Sequence, residues 1–274
     1  DINMPELEMP VLITLFILAG SVAGYMAGLL GIGGGAILVP VLFQTFIFLG
    51  LDEAHQIHAA VATSLTIIVL TSIQSGRIHY KNDAVDMSVV RHWVPFLITG
   101  VVSGALLAGY FNAEVLKIIF AVLTSLIALN MMFNKVDDSL DGDLPAIWLQ
   151  RGVAIIIGFF SALMGIGGGA FSVTIMRLFG RPIHKAVGTA AVLGIFIALP
   201  GSLGFVVSGW GKEGLAPYFL GYVNWLAVLL LIPVTTLTAP MGARMAHKID
   251  RKKLEKIFIF FLFLASARIL WSVF

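Results

Sequence analysis

Residues 31–36 read GIGGGA, and residues 165–170 read GIGGGA again. Each copy sits in strongly apolar sequence; VLITLFILAGSVAGYMAGL at 11–29, just before the first, has no Asp, Glu, Lys or Arg. Two readings compete. Gly31, Gly33 and Ala36 satisfy G-x-G-x-x-A, with Asp52 lying 52 − 31 = 21 residues on, as in a dinucleotide fingerprint. That motif requires a preceding strand and a βαβ unit of about thirty residues around it. Here a membrane-length apolar run comes first, and the second copy has no acidic residue near position 186. The glycines therefore read as breaks between membrane helices.

Composition agrees. Of 274 residues, 59% are hydrophobic and 12% charged, against roughly 25% charged in soluble domains. Apolar runs of about 20 residues, the length a helix needs to cross the hydrocarbon, recur along the chain, so the protein is expected to be a multi-pass protein of the cell membrane with the lipid bilayer as its main partner. A net charge of +2, spread along the chain, does not suggest nucleic acid as a partner. The first ten residues carry Asp1, Glu6 and Glu8 and no Lys or Arg, the wrong sign for a signal-peptide start, so the first apolar run is expected to be retained. No cysteine is present, so there is no disulfide framework.

The chain looks duplicated. The glycine runs are 165 − 31 = 134 residues apart; IHAAVATS at 57–64 returns as IHKAVGTA at 183–190; Pro95 with Gly104-Ala105 returns as Pro233 with Gly242-Ala243. Three landmarks in one order predict two repeats, 1–135 and 136–274. Each holds five apolar segments: about 11–29, 36–49, 59–75, 93–111 and 116–133, then 146–164, 170–179, 185–207, 218–243 and 254–274. The second and seventh reach only ~15–21 Å at 1.5 Å per residue, so they are expected to be half-helices or re-entrant pieces. Lys and Arg concentrate at 77–91, 177–185 and 244–256. If all three face the cytoplasm, each half makes five passages, the second half is inverted, and both termini lie outside. The expected fold is an all-α polytopic membrane protein of two inverted repeats, with Gly-interrupted half-helices meeting near the bilayer midplane.

Paired short, Gly-interrupted segments in the two halves point to a midplane binding site of a secondary transporter. Glycine permits positive φ and leaves backbone N–H groups unshielded. The N-terminus of a helix starting near Ala36 would favour an anion. The predicted anion cradle is Gly33, Gly34, Gly35 and Ala36 with Gly167, Gly168, Gly169 and Ala170. Close packing by small residues is the competing use of such glycines.

These residues resemble the sulfite exporter TauE/SafE family of membrane permeases: GLLGIGGGAILVPVL at 28–42, AVATS at 60–64, GRIHYKNDAVD at 76–86, GIGGGAFSV at 165–173, AVGTA at 186–190 and APMGARMAHKIDRKKLEKIF at 239–258. The resemblance spans nearly the whole chain. It implies a permease for small sulfur-containing or organic anions, including sulfite, sulfoacetate and other sulfonates.

Thr63, Ser64 and Thr189 stand just inside a helix after each glycine unit, where hydroxyls could donate to an oxyanion or bond back to a carbonyl one turn earlier. Gln74 is a polar amide in an apolar run and could donate too. His58 and His184 match across the repeat but start on opposite faces, which suits interfacial capping better than a metal site. Arg268 is the charged side chain that stands out inside an apolar run, close enough to the end of the segment to snorkel. With no carboxylate in the apolar segments except Glu255 at the very start of the last, and no catalytic constellation, neither an enzyme nor a cofactor or metal is expected. The function expected is alternating-access transport of a small anion, such as sulfite or an organosulfonate. A transporter or channel for another small organic anion, or a non-translocating membrane receptor or enzyme using the same cleft, is the alternative.

Overall fold

The computed structural model describes residues 9–30, 34–133, 145–215, 218–246 and 251–273. Among these, helices dominate: α1 Met9–Leu30, α2 Gly35–Phe48, α3 Glu53–Lys81, α4 Met87–Ala108, α5 Ala113–Phe133, α6 Ile147–Met164, α7 Gly169–Leu178, α8 Ile183–Ser208, α9 Trp225–Ala246 and α10 Arg251–Trp271. Six of them, α3 to α6, α8 and α9, are long and apolar enough to cross a membrane. The protein is an all-α, multi-pass membrane protein. Both short helices form where expected.

One expected segment is corrected. The apolar run at 218–243 does not begin as helix; Phe219–Leu220 (β1) pairs antiparallel with Val223–Asn224 (β2), and α9 starts only at Trp225. Gly221, at φ 56°, makes the reversal. Tyr222, Val223 and Asn224 are buried, so hydropathy alone reads this hairpin as part of the helix that follows.

Packing directions follow from side-chain registers. Helix α3 runs antiparallel to α8: Thr66 Oγ1 lies 2.7 Å from Ser202 Oγ, while Gly76, nearer the end of α3, backs onto Val192, nearer the start of α8. Helices α1 and α9 run parallel, with Gly20 against Leu231 and Gly24 against Thr235. So do α4 and α6: Trp93 Nε1 donates to Gln150 Oε1 at 3.1 Å, and Gly104 packs on the Phe159 carbonyl. Small residues let these backbones meet, the usual device where lipid offers no hydrophobic drive to association. Each close pair joins an early helix to a late one.

The end of α3, the starts of α4 and α8 and the end of α9 gather on one side. Arg181 of the α7–α8 turn pairs with Asp86, the N-cap of α4, at 3.1 Å, and Lys185 donates to the Asp83 carbonyl. The other side is closed by aromatic groups. Phe46 at the end of α2 packs on Phe219 (ring centroids 5.9 Å) and on Phe16 (6.3 Å), and Tyr222 stacks on His58 at 4.8 Å.

Candidate functional site

Both short helices begin on a glycine with positive φ: Gly34 at φ 65° precedes α2, and Gly168 at φ 70° precedes α7. A side chain would cost about 1–2 kcal/mol there. Each N-cap, being glycine, has no side chain with which to cap its helix. Gly31 and Gly33 lie outside the described residues. The two breaks touch. A methyl group at Gly35 would stand 2.8 Å from Ile166 Cα and 2.9 Å from the Gly165 carbonyl oxygen. Glycine thus serves both purposes the sequence left open, turning at Gly34 and Gly168 and allowing close approach at Gly35. From this shared centre α2 runs toward the aromatic side. Helix α7 runs the opposite way, ending where Phe179 meets Trp93 (6.5 Å) near the start of α4.

A cavity of about 420 Å³ opens beside the breaks. Gly34 and Leu38 of the α2 start and Gly167, Gly169 and Val173 of the α7 start line it. Helix α3 contributes Thr71, Ser72, Gln74, Ser75 and His79, and α9 contributes Thr235 and Thr236. Ile67, Ile78, Val187, Ala190 and Ala191 supply apolar wall. His79 and Ile78 come from the last turns of α3, so the cavity runs from the breaks toward the end that carries the basic loops. Thr71 and Thr235 also bond back to carbonyls one turn earlier, Thr71 to Ile68 at 3.2 Å and Thr235 to Leu231 at 2.7 Å.

Four of the expected site residues line this cavity: Gly34, Gly167, Gly169 and Gln74. Gly35, Ala36, Gly168 and Ala170 belong to the same helix starts but are not among the described lining residues; a methyl group at Gly168 would run into Ile197. The three hydroxyls proposed from the repeat are engaged elsewhere. Ser64 Oγ donates to the Gly165 carbonyl at 2.9 Å and pins the second break to α3. Thr63 Oγ1 accepts the Asn224 N–H at 3.1 Å, and Thr189 Oγ1 accepts the Asp86 N–H at 2.8 Å.

The lining hydroxyls that sequence reasoning missed did leave a signal. Thr71, Ser75 and His79 recur at i, i+4, i+8 and so share one face of α3. Sequence reasoning also passed over a charge. Lys117 is 1% exposed, one turn into α5, and donates to Glu53 Oε1 at 3.0 Å and to the Ser272 carbonyl at 3.1 Å. Arg268, by contrast, is exposed. The matched histidines differ as well: His58 Nε2 lies 3.1 Å from both the Ala108 and Phe111 carbonyls at the end of α4, and His184 is exposed. Among the described residues no group of three or more His, Cys, Asp or Glu could hold a metal.

A bundle of membrane-length helices with two short ones whose starts border one cavity, mainly apolar with a few hydroxyls in its wall, defines a multi-pass membrane protein. Residues 16–269 match the family described as Sulfite exporter TauE/SafE. The chain belongs to that family, which is one of membrane transporters. It is similar to a probable membrane transporter protein of Haemophilus influenzae, 33% identical over 93% of this chain and 96% of the relative. It is also similar to the probable membrane transporter protein YunE of Bacillus subtilis, 28% identical over 94% and 97%. A probable membrane transporter protein of Methanocaldococcus jannaschii is 28% identical over 91% and 92%. No solved structure matches.

Proposed function

We propose that the protein carries a small organic anion, an organosulfonate such as sulfoacetate or the inorganic sulfite, across the membrane by alternating access. The observation that carries this reading is the pair of glycine-started half-helices, α2 and α7, bordering the same cavity. The N–H groups and dipole of a helix start favour negative charge, and hydroxyls from α3 and α9 can donate to oxygens. No Asp or Glu lines the cavity among the described residues, so nothing there repels an anion.

Size and wall favour an organic substrate over bare sulfite. About 420 Å³ lies in the range of pockets that hold organic ligands, and Ile67, Val173 and Val187 would cover a carbon body.

Residues 1–135 and 136–274 form, in this reading, two inverted repeats. Helix pairing supports it: adding five to each helix number turns α1 with α9 into α6 with α4, and leaves the pairs α3 with α8 and α5 with α10 unchanged. With the basic loops in the cytoplasm, the cavity faces inward and the aromatic side closes the outer path.

The test is binding and flux. Purified protein is titrated with sulfoacetate, ethanesulfonate, sulfite, acetate and chloride, and uptake is followed in proteoliposomes. Ser72→Ala with Thr236→Val should weaken sulfonate binding at least several-fold. Equal affinity in that variant, or no anion bound by the native protein, would rule the reading out.

A further inference from the structure

The cavity wall carries one ionisable side chain among its described residues, His79. It stands at the mouth, on the face of α3 that presents Thr71 and Ser75 deeper in. An α-helix C-terminus favours a cation by its dipole, and His79 lies in the last turn of α3.

The lining parts of α1, α2, α7, α8 and α9 present Gly, Ala, Val, Leu, Thr and Pro and no charge. On α3, Arg77 and Lys81 are two residues to either side, about 200° around the helix. At the start of α8, Arg181 is paired with Asp86 and Lys185 is bound to the carbonyl of Asp83, while His184 is exposed. Arg181 and Lys185 are thus held in contacts of their own, and none of these groups is among the described lining residues.

We infer that His79 is the counter-charge of the anion site, so that an anion entering the cavity from the basic side binds the imidazolium form and takes up a proton as it binds. This rests on the anion reading above and adds its charge partner. The half-helix starts supply partial positive charge and the hydroxyls supply donors, and the protonated histidine supplies the one full charge of the described lining. A lysine there would hold the anion at every pH; a histidine lets it go when the proton leaves.

Ethanesulfonate does not titrate between pH 5.5 and 8 and is the probe. Its affinity for the purified native protein should rise about tenfold from pH 8 to pH 5.5. Calorimetry at pH 7.5 in phosphate and in Tris should show proton uptake through different apparent enthalpies. His79→Gln should bind weakly and without pH dependence, and His79→Lys tightly throughout. Binding that is flat with pH in the native protein, or a pH dependence that persists in His79→Gln, would overturn the inference and leave the anion reading standing. No binding at any pH would overturn both.

Discussion

Thr63 on α3 accepts the backbone N–H of Asn224, the residue just before α9, at 3.1 Å. Its counterpart in the other half of the chain does the same: Thr189 on α8 accepts the N–H of Asp86, just before α4. Asn224 and Asp86 in turn accept first-turn N–H groups of their own helices, Ala227 at 2.8 Å and Ser88 at 3.1 Å. Each threonine thus fixes where a helix of the opposite half begins.

Thr63→Val and Thr189→Val should therefore destabilise the protein, by about 1–2 kcal/mol each, because a buried N–H loses its acceptor. Thr→Ser at either position should retain most of the stability. Thermal unfolding in detergent, with ethanesulfonate affinity measured in parallel, separates this from substrate binding: unchanged melting with lost affinity would assign the hydroxyls to the substrate instead.

Gly168→Ala should cost about 1–2 kcal/mol for the left-handed backbone, plus the clash with Ile197. Adding Ile197→Val, which removes the Cδ1 the new methyl group would meet, should relieve the clash and leave the backbone term plus about 1 kcal/mol for the lost methyl. Gly152→Ala is the control, a helical glycine with nothing within 4 Å of an added methyl group, and should be neutral or slightly stabilising. Melting temperatures of the four proteins check the order.

The chain has no cysteine, so single cysteines report accessibility without background. In inside-out vesicles a membrane-impermeant maleimide should label Ser75→Cys and His79→Cys rapidly and Thr66→Cys slowly, since Thr66 is paired with Ser202 away from the described lining. Right-side-out vesicles should leave all three unlabelled. Labelling of Ser75→Cys from the outside would reverse the assigned direction of the cavity.

Lys117 and Glu53 should respond unequally. Glu53 is 72% exposed and can meet water, whereas Lys117 is buried. Glu53→Gln takes the carboxylate from a buried ammonium that keeps only neutral acceptors, and should cost about 1–3 kcal/mol. Lys117→Met leaves a solvated carboxylate and should cost less. Unfolding of both variants at neutral pH decides it.

The predicted helix breaks show why some of the site was legible. Three consecutive glycines, twice, have few structural uses inside apolar sequence, and Gly34 and Gly168 do take the positive φ that only glycine adopts without strain. Thr63, Ser64 and Thr189 show the limit. Their burial could be read locally, but their partners, Asn224, Gly165 and Asp86, lie more than a hundred residues away and cannot be found by spacing.

Membrane class, the short second and seventh helices and the clustering of basic loops were determined by the sequence alone, because run length, glycine and charge act locally. Which hydroxyls face the cavity was decided only by tertiary structure. Helix α3 is buried on most of its surface, so it has no polar stripe facing water to tell one side from another. Its faces acquire separate roles only when α8 packs along one of them and the two glycine breaks meet beside the next.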